Sequence, residues 1–239
     1  MRYEIKIIPR TFHFKQPAGT SRGVYMTRLS WLLELTSPDM PGHKGIGECA
    51  PLPDLSCDYA PDYEETLRKM CDKFMNEGQI DYKEMRDFPS MLFGLETALK
   101  HFECGSINFY DTPFSRGEAG IPINGLVWMG TFEEMMQRID EKIKQGLRCI
   151  KLKIGAINFD KELDMVKHIR ERFSHNELEI RLDANGGFKF NDALYKLELL
   201  SQYSIHSIEQ PIRQHQWGNM AQLCRESTMP IALDEELIG

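Results

Sequence analysis

A chain of 239 residues can bury a substantial core as one large domain or two small ones. With 41% hydrophobic and 27% charged side chains it has the composition of a folded, water-soluble protein. A formal net charge of −7 without any Lys/Arg cluster argues against a nucleic acid or an anionic membrane as partner. The six cysteines (Cys49, Cys57, Cys71, Cys104, Cys149, Cys224) lack CxxC spacing, so neither a zinc knuckle nor a disulfide framework is expected. No apolar leader and no long apolar run are present, and a cytoplasmic location is expected.

In residues 2–7, Tyr3, Ile5 and Ile7 alternate with charged side chains, and Leu29, Trp31, Leu33 and Leu35 repeat that period of two. Both stretches predict half-buried strands. A third strand is expected over 44–48, ended by Pro51 and Pro53. Residues 63–74 and 90–102 change to helical spacing, with Leu67, Met70 and Phe74 on one face and Leu92, Leu95 and Leu99 on another. Strands followed by helices predict a small α+β domain, assigned to residues 1–115. Gly45, Gly47 and Ala50 spell GxGxxA, but Pro51 and Pro53 follow at once and forbid the helix a dinucleotide would need.

The stretch 112–120, with Pro113, Gly117 and Gly120, is the expected boundary. Beyond it short apolar strands alternate with amphipathic helices, and the second domain is assigned to residues 116–239. Strands are predicted at 121–127, 149–154, 179–184, 206–209 and 231–234. Thr131 and Glu134 form a capping box before Met135, Ile139 and Ile143. Leu163, Val166, Ile169 and Phe173 line a second helix, and Asn191 is expected to cap a third carrying Leu194, Leu197 and Leu200. Repeated βα units require a parallel sheet, in a barrel or a doubly wound arrangement.

The strand ends of this half carry charge. In CIKLKI, Lys151 and Lys153 are two apart and share one side of the strand. The following strands end in RLDANG, SIEQP and IALDEE, which place Asp183, Glu209 and Asp234 26 and 25 residues apart, the length of one βα unit. Any one acid after a strand is more often a helix cap or a solvated charge; the repetition at corresponding positions points to a shared site. Three carboxylates in one cleft need a cation, and an all-oxygen set without histidine suits Mg²⁺ better than Zn²⁺.

The set KxK (Lys151, Lys153), DAN (183–185), EQP (209–211) and DE (Asp234, Glu235) resembles the muconate-lactonizing branch of the enolase superfamily, and the resemblance spans nearly the whole chain. GECAPLPDLS at 47–56 and INGLVWMG at 123–130 resemble its o-succinylbenzoate synthase family. The resemblance implies an α+β capping domain followed by an α/β barrel of the modified TIM type, and a Mg²⁺-dependent carbon–oxygen lyase. In that reading Asp183, Glu209 and Asp234 hold the metal and Lys153 removes the proton alpha to a substrate carboxylate. Dehydration of 2-succinyl-6-hydroxy-2,4-cyclohexadiene-1-carboxylate, a step of menaquinone synthesis, would follow through a metal-stabilised enediolate. Lys151 would tune Lys153 or touch the carboxylate, and Arg181 and Asn185 are candidate substrate contacts. The loop 19–23, with Arg22, resembles the capping loop that closes over substrate.

Such a barrel needs about eight strands. The sequence stops after the fifth candidate, before the strand expected to carry a second catalytic lysine, so a truncated barrel of little activity is expected. The alternatives are a dipeptide epimerase, an N-acylamino acid racemase or a cycloisomerase using the same metal site, and a non-catalytic truncated barrel. A small-molecule carboxylate is the expected partner. A homo-oligomer is compatible with the sequence, since an apolar helix stripe serves a core as well as an interface.

Overall fold

The computed structural model describes residues 1–20, 23–127, 130–155 and 158–238. It divides into two compact units, Met1–Gly120 and Ile121–Leu237. Arg22 and the pair Trp128 and Met129 lie outside the described residues. No helix among the described residues is long and apolar enough to cross a membrane.

In the first unit β1 (Glu4–Thr20), β2 (Gly23–Thr36) and β3 (Lys44–Cys49) form an antiparallel sheet in that order. Trp31, Leu33 and Leu35 are buried and Ile5 and Ile7 pack beside them, as the period of two demands. Leu29 is 41% exposed, because β3 pairs with β2 only from Trp31 to Thr36. Strands β1 and β2 run well beyond the alternating stretches. The ladder shifts register between His13 and Ala18, where Gln16 and Pro17 interrupt the apolar pattern.

Three helices follow: α1 (Tyr63–Glu77), a single turn α2 (Tyr82–Met85) not expected from the sequence, and α3 (Pro89–Cys104). Asp81 starts α2 by accepting from Lys83 N and Glu84 N. In α3 the buried line is Met91, Gly94, Leu95, Ala98 and Phe102; Leu92 and Leu99 are only partly buried, so the true face is rotated from the predicted one. The rotation is set by small residues. Gly45 and Gly47 on β3 lie against α3 so closely that a methyl on Gly47 would overlap the Gly94 carbonyl, and one on Gly45 the Ala98 carbonyl. The GxG of this strand is a packing device. Phe88 offers α3 no capping side chain; Asp58 supplies the acceptor from a distant loop, bonding Ser90 N at 2.8 Å.

In the second unit β4 (Gly125–Val127), β5 (Cys149–Lys153), β6 (Glu179–Asp183), β7 (Ser207–Glu209) and β8 (Ile231–Ala232) form one parallel sheet in sequence order. A doubly wound sheet reverses its strand order, and this one does not. Between the strands lie α4 (Phe132–Lys144), α5 (Phe159–Arg172), α6 (Phe190–Ser201) and α7 (Trp217–Glu226), followed by a 3₁₀ turn, Glu235–Leu237. Residues 121–124, included in the first predicted strand, are irregular and mostly exposed. Thr131 and Glu134 form the expected capping box. Asn191 does not cap α6: the helix begins at Phe190, Lys189 holds the cap position, and no side chain bonds the free amides.

The alternation within these strands sorts the two faces. Ile150, Leu152, Ile180, Leu182 and Ile208 are buried against the helices in one core with Ile139, Val166, Ile169, Leu197 and Leu223. Residues of the opposite parity (Lys151, Lys153, Arg181, Asp183 and Glu209) make the other face polar.

Candidate active site

Parallel pairing aligns the charged residues. Lys153 is opposite Asp183, Asp183 opposite Glu209, and Glu209 opposite Ala232, so one row crosses four strands at their C-terminal ends. The ladder continues past the strands through Ile154 N to Asp183 O, Ala184 N to Glu209 O and Gln210 N to Ala232 O. That continuation fixes the height of each side chain before any side-chain bond is made.

Lys151 Nζ donates to both oxygens of Glu209 (2.7 and 2.6 Å) and lies 2.9 Å from Asp183 Oδ2. Lys153 Nζ lies 2.8 Å from the same Asp183 oxygen and donates to Asn185 Oδ1 at 2.7 Å. Asp183 is wholly buried, whereas the two lysines keep about a fifth of their side-chain surface (21% and 18%). Burial pushes the Asp183 carboxyl up, but Lys153 and Lys151 outweigh it and hold the group below the usual carboxylate range. For Lys151 burial acts downward and is overcome by Glu209 and Asp183, leaving the ammonium more tightly protonated than an ordinary lysine. Glu209 goes the other way: burial raises it, Lys151 offsets part, and Asp183 and Asp234 raise it further. The repulsion from Asp234 places that carboxylate within electrostatic reach of Glu209, although Asp234 is exposed.

Of the other expected residues, Asn185 joins the cluster and Arg181 does not. The Arg181 guanidinium is bound to Glu179, one step toward the N-terminal end of the sheet, with Nε and Nη2 each 2.7 Å from Glu179 Oε1. Two residues not assigned a role from the sequence support the site. Gln210, fully buried and at φ +39°, accepts from Asp234 N (3.2 Å) and Glu236 N (3.3 Å) and donates to Ile212 O, pinning the turn that carries Asp234. Glu235 is buried and accepts from Asn185 Nδ2. The signal for Gln210 was an amide in the apolar stretch SIEQPI, where a polar side chain must find partners inside the protein. Glu235 had none, since adjacent acids read as one charged run.

Among the described residues no three Asp, Glu, His or Cys side chains stand close enough together to hold a metal ion. Asp183 and Glu209 are drawn onto the lysines instead. The donor chemistry nevertheless fits a hard cation: three carboxylates, no thiol or imidazole, and in Asp183 Oδ2 a buried oxygen that faces two ammonium groups without a hydrogen bond of regular geometry.

The chain matches two family models, "Enolase C-terminal domain-like" over residues 134–239 and "MenC, N-terminal domain" over residues 21–102. It is 42% identical to an o-succinylbenzoate synthase of Desulfotalea psychrophila over 95% of this chain and 69% of that protein. The crystal structure of MenC from Desulfotalea psychrophila superposes with a TM-score of 0.80 at 36% identity, covering all of this chain and 72% of that one. The o-succinylbenzoate synthase of Thermosynechococcus elongatus, solved with Mg in its active site, shares the fold at a TM-score of 0.75 and 23% identity, over 98% of this chain and 69% of that one.

Proposed function

This chain belongs to the o-succinylbenzoate synthases, carbon–oxygen lyases of the enolase superfamily, and from that premise we propose that its site works through Lys153 as the base. The observation that carries the assignment is the single row Lys153, Asp183, Glu209 across neighbouring strand ends, with Lys153 Nζ 2.8 Å from Asp183. We assign residues 1–115 to a capping domain and 116–239 to strands and helices of a modified TIM barrel, whose chemistry belongs at the C-terminal strand ends.

Asp183, Glu209 and Asp234 would hold Mg²⁺. Bound there, it would act as a Lewis acid on the substrate carboxylate and stabilise the negative charge that develops when the alpha proton leaves. The substrate is a small cyclohexadiene carboxylate, 2-succinyl-6-hydroxy-2,4-cyclohexadiene-1-carboxylate. Lys153 Nζ takes the proton alpha to that carboxylate; the C–O bond to the ring hydroxyl then breaks, the departing hydroxyl takes up that proton from the Lys153 ammonium and leaves as water, and the ring becomes aromatic. Lys151, whose Nζ lies between Asp183 and Glu209, serves as a positive charge beside Lys153 and not as a second base. Asn185 orients Lys153, and Arg181, bound to Glu179, stands back from the reacting atoms.

The test is loss of the diene absorbance with Mg²⁺ present. Slow conversion by the unaltered protein is expected, with Lys153→Ala losing roughly 10²–10⁴-fold in rate and Asp183→Asn weakening Mg²⁺ binding. No conversion by the unaltered protein, with alpha-proton exchange on N-acylamino acids or dipeptides in deuterated water, would overturn the synthase reading in favour of an epimerase or racemase. An unchanged Mg²⁺ affinity in Asp183→Asn would remove the metal assignment.

A further inference from the structure

Asp234 and Glu235 are neighbours in sequence and part company in space. Asp234 is exposed beside the carboxylate row, whereas Glu235 turns inward and is 7% exposed. A buried carboxylate is costly unless its oxygens are used. Glu235 Oε1 accepts from Asn185 Nδ2 at 3.4 Å, and Asn185 Oδ1 in turn accepts from Lys153 Nζ at 2.7 Å. All three residues lie in the second unit.

We propose that Glu235 is a positioning residue for Lys153, acting through the Asn185 amide. The chemistry of the two ends fixes that amide. Once it carries the abstracted proton Lys153 can only donate, so it takes the amide oxygen; a carboxylate can only accept, so Glu235 takes the amide nitrogen. Each end therefore enforces the orientation the other needs. Without an acceptor at Glu235 the amide is free to turn over and present its NH₂ to the ammonium, which would break the Lys153 contact with Asn185 and leave Lys153 held by Asp183 alone of the two. Asn185 itself is held at φ +44°, in the left-handed region that Asn tolerates, and the turn bearing Glu235 is pinned by Gln210. One support of the amide is thus set by backbone conformation and the other by the buried Gln210 side chain.

The inference rests on Lys153 being the base, and its test does not require turnover. In the 239-residue protein labelled with ¹⁵N-lysine, the Lys153 ammonium resonance is assigned by its loss in Lys153→Arg. Asn185→Ala gives the position of that resonance once the contact is gone. Two conservative variants then separate hydrogen bonding from charge: Glu235→Asp keeps the charge and withdraws the acceptor by one methylene, whereas Glu235→Gln keeps an acceptor oxygen at the same reach and loses the charge. The expected result is that Glu235→Asp moves or broadens the Lys153 signal toward its Asn185→Ala position and Glu235→Gln leaves it near that of the unaltered protein. A Lys153 signal unmoved in Glu235→Asp, or moved as far in Glu235→Gln, overturns the proposal. Failure of the diene assay in the unaltered protein bears on the synthase reading alone, so the two failures are told apart.

Discussion

Strand β3 of the first unit and strands β5 to β7 of the second each carry a short motif on one face, and what stands opposite gives each motif its meaning. In β3 the glycines of KGIGEC meet the backbone of α3, with Gly94 and Ala98 across from them. In β5 to β7 the helices take the other face, and the motif residues Lys151, Lys153, Asp183 and Glu209 meet one another and Asn185. GxG here is space given up so that two backbones can touch; KxK with the following acids is charge gathered on the sheet face opposite the helices. A ligand motif and a packing motif of equal length are distinguished by the partner surface.

The largest effect is expected where that contact is tightest. A methyl on Gly47 would overlap a backbone carbonyl that cannot swing aside, so Gly47→Ala should reach or exceed the ~1–3 kcal/mol usual for overpacking. Thermal unfolding of the variant should show a Tm lower by roughly 2–12 °C or more. A methyl on Gly94 would instead meet the Cys49 sulfur, a side-chain atom. Gly94→Ala combined with Cys49→Gly should therefore recover part of the Gly94→Ala loss, and no side-chain truncation should recover Gly47→Ala. Equal recovery in both would mean that side-chain crowding, and not backbone contact, defines the β3 and α3 interface.

The next effect is smaller and depends on pH. Lys151→Met removes one of two cations beside buried Asp183 and the hydrogen-bond donor of Glu209, at an expected cost of about 1–3 kcal/mol near neutral pH. Asp183 has its pKa depressed in the folded protein, so its stabilising contribution is present above the ordinary carboxylate pKa of about 3.9 and fades as pH falls through the depressed value. Lys151 has its pKa raised, so its contribution is full below about 10.4 and fades as pH rises through the raised value. The Tm difference between Lys151→Met and the unaltered protein should be widest between those limits and narrow in strong acid. A difference independent of pH would show that Lys151 matters through packing of its aliphatic stem.

These two regions also show what the sequence makes legible. The charged strand ends could be read because spacing by one βα unit is a long-range regularity, and parallel pairing sets Lys153, Asp183 and Glu209 in one row, with Asp234 two residues beyond Ala232, the residue opposite Glu209. The order of the sheet could not, since a barrel arc and a doubly wound sheet share the same local alternation. The doubly wound order is excluded by strands that neighbour in sequence order. The Gly45 and Gly47 pair could be rejected as a nucleotide loop, but its purpose required knowing that α3 brings Gly94 to it. Strands β1 and β2 outrun their apolar alternation because main-chain pairing continues after the buried face ends at Leu29. Glu235 was hidden because burial of one acid and exposure of its neighbour is decided by a single 3₁₀ turn.

The smallest effects test the helix starts, where one expected cap formed and the other did not. Thr131 Oγ1 accepts from Glu134 N at 3.3 Å while Glu134 Oε2 accepts from Thr131 N at 2.8 Å, so two otherwise free amides at the start of α4 are satisfied reciprocally. Thr131→Ala should cost about 1 kcal/mol, read as a lower Tm or denaturant midpoint. Asn191 lies one residue inside α6, exposed and without a capping bond, because the chain enters the helix at Phe190, which packs against the core. Burying that aromatic ring outweighs the fraction of a kcal/mol a polar cap one residue later would contribute. Asn191→Ala should therefore change stability by less than about 0.5 kcal/mol, with alanine's better helix propensity favouring the variant. A loss comparable to that of Thr131→Ala would move the start of α6 to Asn191 and restore the cap that its sequence suggests.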